Sequence, residues 1–251
     1  MRNTILLTLI AFTFSACNKD ENNNESNATT AIPHSCGAKN VHNPNKTYGS
    51  VTDIDGNTYK TIQIGTQVWM AENLKTTKYR NKIIIPTLSD NAQWNTNNTG
   101  AMCSYNNNPA NDCPYGKLYN WYAVTNPNNI CPNGWHVPKA EEWDKLTRYL
   151  SNINYNIGDQ MKSPGTTYWS ASNNSNANNE SGFSALPGGE RNFEFSNLGN
   201  TGIWWSSTPG DIFENFNNAT YRSLSFTDGQ VYGISAGRDK NSGLSVRCVK
   251  D

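Results

Sequence analysis

The apolar positions of this chain fall into short runs divided by long polar stretches, and only one run has clear helical spacing. Ala140, Trp143, Leu146 and Leu150 recur at three- and four-residue intervals, which puts them on one face of a helix. Pro138 suits its first turn, Glu141 and Glu142 complement the positive end of the helix dipole, and Arg148 the negative end. The other runs are short or alternate with period two. Thr58–Ile64 alternates behind Asp55-Gly56, with residues 51–54 as its hairpin partner. Residues 67–74 form a short buried segment around Trp69, and residues 83–85 an apolar run ended by Pro86. Residues 115–124 fit a short helix or a buried strand equally. Residues 182–189, Phe193 with Phe195, residues 202–208, the hairpin 221–226 with 230–234, and residues 245–249 read as strands; in 202–208 the adjacent Trp204 and Trp205 face opposite sides. Residues 89–112 and 151–181 read as loops. The pattern predicts an α+β domain, one or two helices packed on a β-rich body.

Composition changes what that core is made of. Only 35% of residues are hydrophobic, yet the chain carries 8 Trp, 12 Tyr and 8 Phe, so large aromatics must supply much of the buried area. Acidic and basic residues are equal at 20 each, which leaves no basic field to favour nucleic acid. There is no Cys-x-x-Cys, paired-His spacing, phosphate loop, dinucleotide fingerprint or Gly-x-Ser-x-Gly elbow, so neither a metal nor a cofactor is predicted. Asp53, Asp55 and Asn57 imitate a calcium loop, but the glycine comes too early and no Glu closes the loop; a hairpin turn is the better reading. Among the three histidines, His136 reads as a structural hydrogen-bonding residue. No catalytic residue is assigned. The remaining signal is aromatic: Trp94 and Trp169 lie in Asn- and Ser-rich loops, and Trp204 and Trp205 are adjacent on a strand. An indole beside amide and hydroxyl side chains can stack on a sugar; the competing use is filling an aliphatic-poor core. A binding face would bring Trp94, Trp169 and residues 173–179 around one groove, with an indole open to ligand.

The N-terminus carries an address. Residues 1–16 have a charged start at Arg2 and an apolar run too short to span a bilayer, as a secretory signal does. The run ends Phe14-Ser15-Ala16-Cys17, which resembles the lipobox of bacterial lipoproteins and makes Cys17 the expected lipidation site. Lys19-Asp20-Glu21 follows, and resembles the surface-export signal of Bacteroidetes lipoproteins. Residues 17–46 are expected to be a flexible tether and residues 47–251 the domain. The expected location is the cell outer membrane, lipid-anchored and surface-exposed, with the membrane as one partner, a glycan or surface protein as another, and no nucleic acid.

Six blocks then stand in order: Gly65-Thr66-Gln67-Val68-Trp69-Met70-Ala71-Glu72-Asn73-Leu74, Tyr115-Gly116-Lys117-Leu118-Tyr119-Asn120-Trp121, Gly134-Trp135-His136-Val137-Pro138, Gly182-Phe183-Ser184-Ala185-Leu186-Pro187-Gly188-Gly189, Trp204-Trp205-Ser206-Ser207-Thr208 and Ser245-Val246-Arg247-Cys248-Val249-Lys250-Asp251. Together they resemble the Fibrobacter succinogenes major paralogous domain, found in secreted and surface proteins. The helix start and closing strand are more distantly similar to the sulfatase-modifying factor family. This likeness implies a C-type-lectin-like fold, with one or two helices against twisted antiparallel sheets and long loops. It also suggests pairing Cys131, before the helix, with Cys248, in the last strand. Cys103 and Cys113 lie ten apart and would close a polar loop, leaving Cys36 spare; Cys36–Cys248 and Cys113–Cys131 are alternatives. Formylglycine-type oxidation needs two reactive cysteines in the C-terminal half, where only Cys248 lies beyond Cys131. The expectation is a non-catalytic binding or adhesion module; an enzyme of the formylglycine-generating type and a purely structural envelope protein are the alternatives.

Overall fold

The alternation in Thr58–Ile64 produces the expected hairpin. In a computed structural model, which describes residues 33–173, 175–210, 217–233 and 237–251, that strand pairs antiparallel with Gly49–Thr52, Gly49 opposite Thr61 and Thr52 opposite Thr58. The predicted signal sequence, Cys17 and Lys19-Asp20-Glu21 lie outside the described residues. Asp53 organises the turn: its Oδ1 accepts from the N–H groups of Asp55 and Asn57, both at 2.9 Å, and its Oδ2 from the Tyr59 hydroxyl at 2.6 Å. The carboxylate that imitated a calcium ligand is occupied in holding the hairpin together.

Gln67–Met70 adds to the other edge of Thr58–Ile64, followed by the closing strand Val249–Lys250 and then Trp135–His136, giving a five-stranded antiparallel sheet. In a second antiparallel sheet Thr201–Pro209 pairs with Asn218–Ser225, whose far edge takes Val231–Tyr232 and Arg238–Asp239. The whole is a mixed α+β fold, a curled antiparallel half-barrel with a few short helices. The main helix is Ala140–Ser151, with Trp143, Leu146 and Leu150 buried. Pro138 sits just outside it, because Lys139 is the cap; the Glu142 carboxylate turns back to accept the Lys139 N–H at 2.8 Å.

Apolar runs without alternation mark strands buried on both faces. Trp204 packs with Trp69, Trp143, Phe183 and Val249 on one side, while its neighbour Trp205 packs with Met70, Tyr119, Val246 and Cys248 on the other. The indoles do face opposite ways, and both ways lead into a core. Elsewhere the short-range pattern was overridden. Residues 115–124 contain a strand, Leu118–Tyr119, and a one-turn helix, Trp121–Val124, capped by the Asn120 side chain. The two expected loops enclose the helices Asn91–Thr96 and Ile157–Met161. The strand expected from 182 begins only at Gly188, as Gly188–Arg191 paired with Phe195–Leu198. Of the 83–85 run only Ile85 is buried.

Two disulfides bind this frame. Cys131–Cys248 forms as the resemblance implies, with Cα atoms 6.0 Å apart, and joins the approach to the helix to the closing strand. Cys103–Cys113 does not form. Cys103 is a free thiol buried with Trp94, Ala101, Tyr105 and Leu118, whereas Cys113 is at the surface and pairs with Cys36, Cα atoms 5.9 Å apart. Cys103, not Cys36, is spare. The partner choice was invisible in spacing because residues 34–42, expected as tether, pack onto the domain and bury His34, Val41 and His42.

Replacing Cys131 and Cys248 together by Ala should lower stability by roughly 5 kcal/mol through the restored loop entropy of the unfolded chain. Denaturant titration of variant and parent, each with its own fitted slope, measures it.

Candidate functional site

The four tryptophans singled out for sugar stacking are all buried, at 3% exposure or less. Internal cations cover three of them. The Arg191 guanidinium lies 4.5 Å from the Trp94 ring, the Lys162 ammonium 5.5 Å from Trp169, and the Arg247 guanidinium 5.6 Å from Trp204. Trp205 donates its indole N–H to the Tyr119 carbonyl at 2.7 Å. An aliphatic-poor chain needs these indoles for its cores, so none is an open platform. Trp94 and Trp169 also belong to different clusters and do not share a groove.

The groove expected to join Trp94, Trp169 and residues 173–179 does not form; a cavity lies instead at the Asn- and Ser-rich loop around Trp169 alone. It encloses about 170 Å³ between Lys162, Gly165, Thr166, Trp169, Ser170, Ser172, Ser175, Asn176, Ala177 and Phe226. Lys162 stitches its walls. The ammonium donates to Ser175 Oγ at 2.6 Å, to the Ser225 carbonyl at 3.0 Å and to the Asp228 carbonyl at 2.6 Å, and lies 3.1 Å from Asp159 Oδ1. Burial lowers the Lys162 pKa, and the Asp159 carboxylate opposes that shift. Asp159 reaches the same loop, accepting from the Ser175 hydroxyl and the Asn176 N–H. Trp169 and Phe226 supply its apolar lining; Thr166, Ser170 and Asn176 form an exposed polar rim. Such a cavity can hold a small polar ring against an aromatic lining. No sequence signal announced Lys162 and Asp159, since apart from each other their partners come from two other segments, 175–176 and 225–228.

A second constellation was also missed. His42 Nδ1 lies 2.9 Å from Ser184 Oγ, and His42 Nε2 lies 3.0 Å from Glu72 Oε1. The order Ser, His, Glu matches a nucleophile relay, but the surroundings do not. Ser184 Oγ also meets the Asn179 amide at 2.9 Å and the Gly182 carbonyl at 3.1 Å, and Ser184, His42 and Glu72 are all buried. With its oxygen saturated and covered, Ser184 fastens the N-terminal segment. His34 stacks on His42 with ring centroids 5.7 Å apart, and Ser35 donates to Glu72 from both its N–H and its hydroxyl. Burial works to raise the Glu72 pKa, but hydrogen bonds from His42 and Ser35 hold it at about 2. Burial lowers His34 to about 4, so it is neutral at neutral pH.

The other candidate groups are structural. His136 bridges Asp251 Oδ1 at 2.6 Å and the Glu142 carboxylate at 2.9 Å. Partial burial works to lower its pKa, and the two carboxylates outweigh it and raise it. Burial pushes the Cys103 thiol up to about 11, which keeps it protonated. Among the described residues no group of three or more His, Cys, Asp or Glu is placed to hold a metal ion, and no helix is long and apolar enough to cross a membrane.

The histidine cluster predicts acid lability. As pH falls from 6.5 toward 4 the unfolded chain takes up a proton that folded His34 refuses, and below about 4.5 Glu72 adds a second loss, extending toward pH 2. The His34 contribution is roughly 3 kcal/mol at most. Denaturant midpoints measured from pH 7 to pH 4 should fall in the parent and fall less in His34→Phe.

A family model for the Fibrobacter succinogenes major domain matches residues 62–250. No curated protein and no solved structure matches the chain. The matched region takes in five of the six sequence blocks whole and the sixth as far as Lys250, with the main helix, both sheets from Ile62 onward, the Cys131–Cys248 disulfide and the cavity over Trp169. The chain therefore belongs to the Fibrobacter succinogenes major domain family.

Proposed function

We propose that this protein is a non-catalytic binding module, held on the cell surface by a lipid at Cys17, and that the cavity over Trp169 takes a single sugar-sized polar group. The observation that carries this reading is the cavity itself: an aromatic wall, a rim of hydroxyl and amide side chains, and a buried lysine that ties together the two segments 175 and 225–228 beside it. Because Asp159 and two carbonyls occupy the ammonium, Lys162 serves as scaffold, and a neutral glycan suits the site better than an anion. The sealed state of Ser184, His42 and Glu72 argues for binding over acyl transfer. A C-type-lectin-like arrangement is part of the same reading. It is supported by short helices on antiparallel sheets, by the disulfide from the helix approach to the closing strand, and by that strand's pairing beside Gln67–Met70.

A glycan array probed with the full chain carrying Cys17→Ser tests the binding. Specific signal is expected, and Thr166→Tyr, which fills the cavity, and Asn176→Ala, which strips its rim, should each reduce it about tenfold or more with the fold unchanged. Binding indifferent to both variants, or absent across the array, would sink the assignment. The anchor is tested separately by mass spectrometry of the mature N-terminus, where a diacylated or triacylated Cys17 is expected.

A further inference from the structure

Residues 77–85 fold into a tight projecting turn. Lys78 pairs with Ile84, the Tyr79 N–H donates to the Ile83 carbonyl at 2.9 Å, and the Ile85 N–H donates to the Thr77 carbonyl at 2.8 Å. At the apex Lys82 has φ +71°, a left-handed conformation unusual for a residue with a side chain. The base of the turn is fixed. Tyr79 and Ile85 are buried, and the Arg80 guanidinium donates to the carbonyls of Cys131, Pro132 and Trp135, the first of these residues being bridged to Cys248. This braced turn holds Ile83 at 54% and Ile84 at 67% exposure. Scattered exposed aliphatics need no explanation, but here an adjacent pair is held out on the return arm of a braced turn, next to its left-handed apex.

Charge surrounds the pair. Between Glu72 and Asp90 the chain carries Lys75, Lys78, Arg80 and Lys82 and no carboxylate. Lys78 is paired with Asp55 at 2.8 Å, while Arg80 spends its hydrogen bonds on neutral carbonyls and Lys82 is exposed. Ile54, 39% exposed, and Asp53 line a cavity with Arg80, on the side of the turn's base.

We propose that the Ile83–Ile84 tip is a membrane-contact surface, in which the two aliphatic side chains enter the headgroup–acyl boundary and Lys82 and its neighbouring cations meet anionic lipid phosphates. A protein partner needs a broad complementary patch, on the order of 800 Å² per side, which a two-residue tip does not offer. A lipid surface needs only shallow apolar insertion with cations at headgroup level. The proposal rests on the surface-lipoprotein reading for its setting: with a lipid on Cys17, residues 18–32 fully extended span at most about 50 Å, so the domain stays within reach of the bilayer.

Vesicle co-sedimentation with the full chain carrying Cys17→Ser, which cannot be acylated, separates this contact from the anchor. Binding to vesicles of phosphatidylcholine mixed with phosphatidylglycerol is expected to exceed binding to phosphatidylcholine alone and to weaken with salt. Adding Ile83→Asn and Ile84→Asn should lower partitioning about tenfold or more, and Lys82→Glu should lower it on anionic vesicles only. These positions are exposed, so an unchanged melting temperature is expected and certifies the fold. No vesicle binding, or binding equal in the double variant, overturns the proposal. Concentration-dependent self-association that the double variant abolishes, without vesicle binding, overturns it in favour of a second copy of this chain. If vesicles bind while mature Cys17 proves unmodified, only the anchor reading fails.

Discussion

A single buried guanidinium holds the two cores in register. Arg247 is fully enclosed, and its Nε donates to Asn73 Oδ1 at 2.8 Å while its terminal nitrogens donate to the carbonyls of Phe183 and Ser184. Its face rests on Phe183, with 4.3 Å to the ring centroid. Asn73 Oδ1 also accepts the Trp204 indole N–H at 2.8 Å, and the Asn73 amide donates to the Tyr115 carbonyl at 2.7 Å and toward Ser245 Oγ. Burial lowers the Arg247 pKa to about 9, with the Glu72 carboxylate acting against that shift, so the charge persists at neutral pH. Desolvating a charge is costly, and the cost is offset because each of the three guanidinium nitrogens finds a fixed acceptor and its face an aromatic ring. Five of the six blocks by which the family is recognised meet at this point. Their shared spelling encodes a frame, and a shared ligand does not follow from it.

That frame was largely legible because its parts are local. The Asp55-Gly56 turn fixes the first hairpin, the four apolar residues from Ala140 to Leu150 fix the helix face, and the unbroken run around Trp204 and Trp205 fixes a strand buried on both sides. What failed was non-local or capped by side chains. Asn120 and Asp90 each start a helix by accepting one backbone N–H, in stretches whose apolar spacing is too sparse to show a face. Cysteine partners were set by a segment that looked like tether, and packing of His34 and His42 on Glu72 decided the matter.

The candidate site was half legible. The sequence singled out the Asn- and Ser-rich loop around Trp169, but it wrongly joined that loop to Trp94 and left the indole open, because an open indole and one covered by an internal cation have the same sequence neighbourhood. Lys162, Arg191 and Arg247 repeat one solution, in which a buried cation lies against an aromatic ring and satisfies two carbonyl groups of one remote segment. In a domain poor in aliphatics this replaces part of the packing that leucine and valine supply elsewhere. The cavity survives where the lysine reaches past Trp169 to hold the loops 175 and 225–228 apart from it.

The two disulfides also fix how the molecule carries mechanical load. Tension arriving at Cys36 passes through its sulfur to Cys113, runs along the backbone to Cys131, and crosses again to Cys248. Only residues 113–131 lie on that covalent path, so the first hairpin, the main helix and the loops around Trp169 are shielded from being peeled out one after another. A pull between the N-terminal side of the domain and its C-terminus can draw out no more backbone than residues 113–131, while a pull applied at the Trp169 loops loads the hydrogen-bonded walls directly.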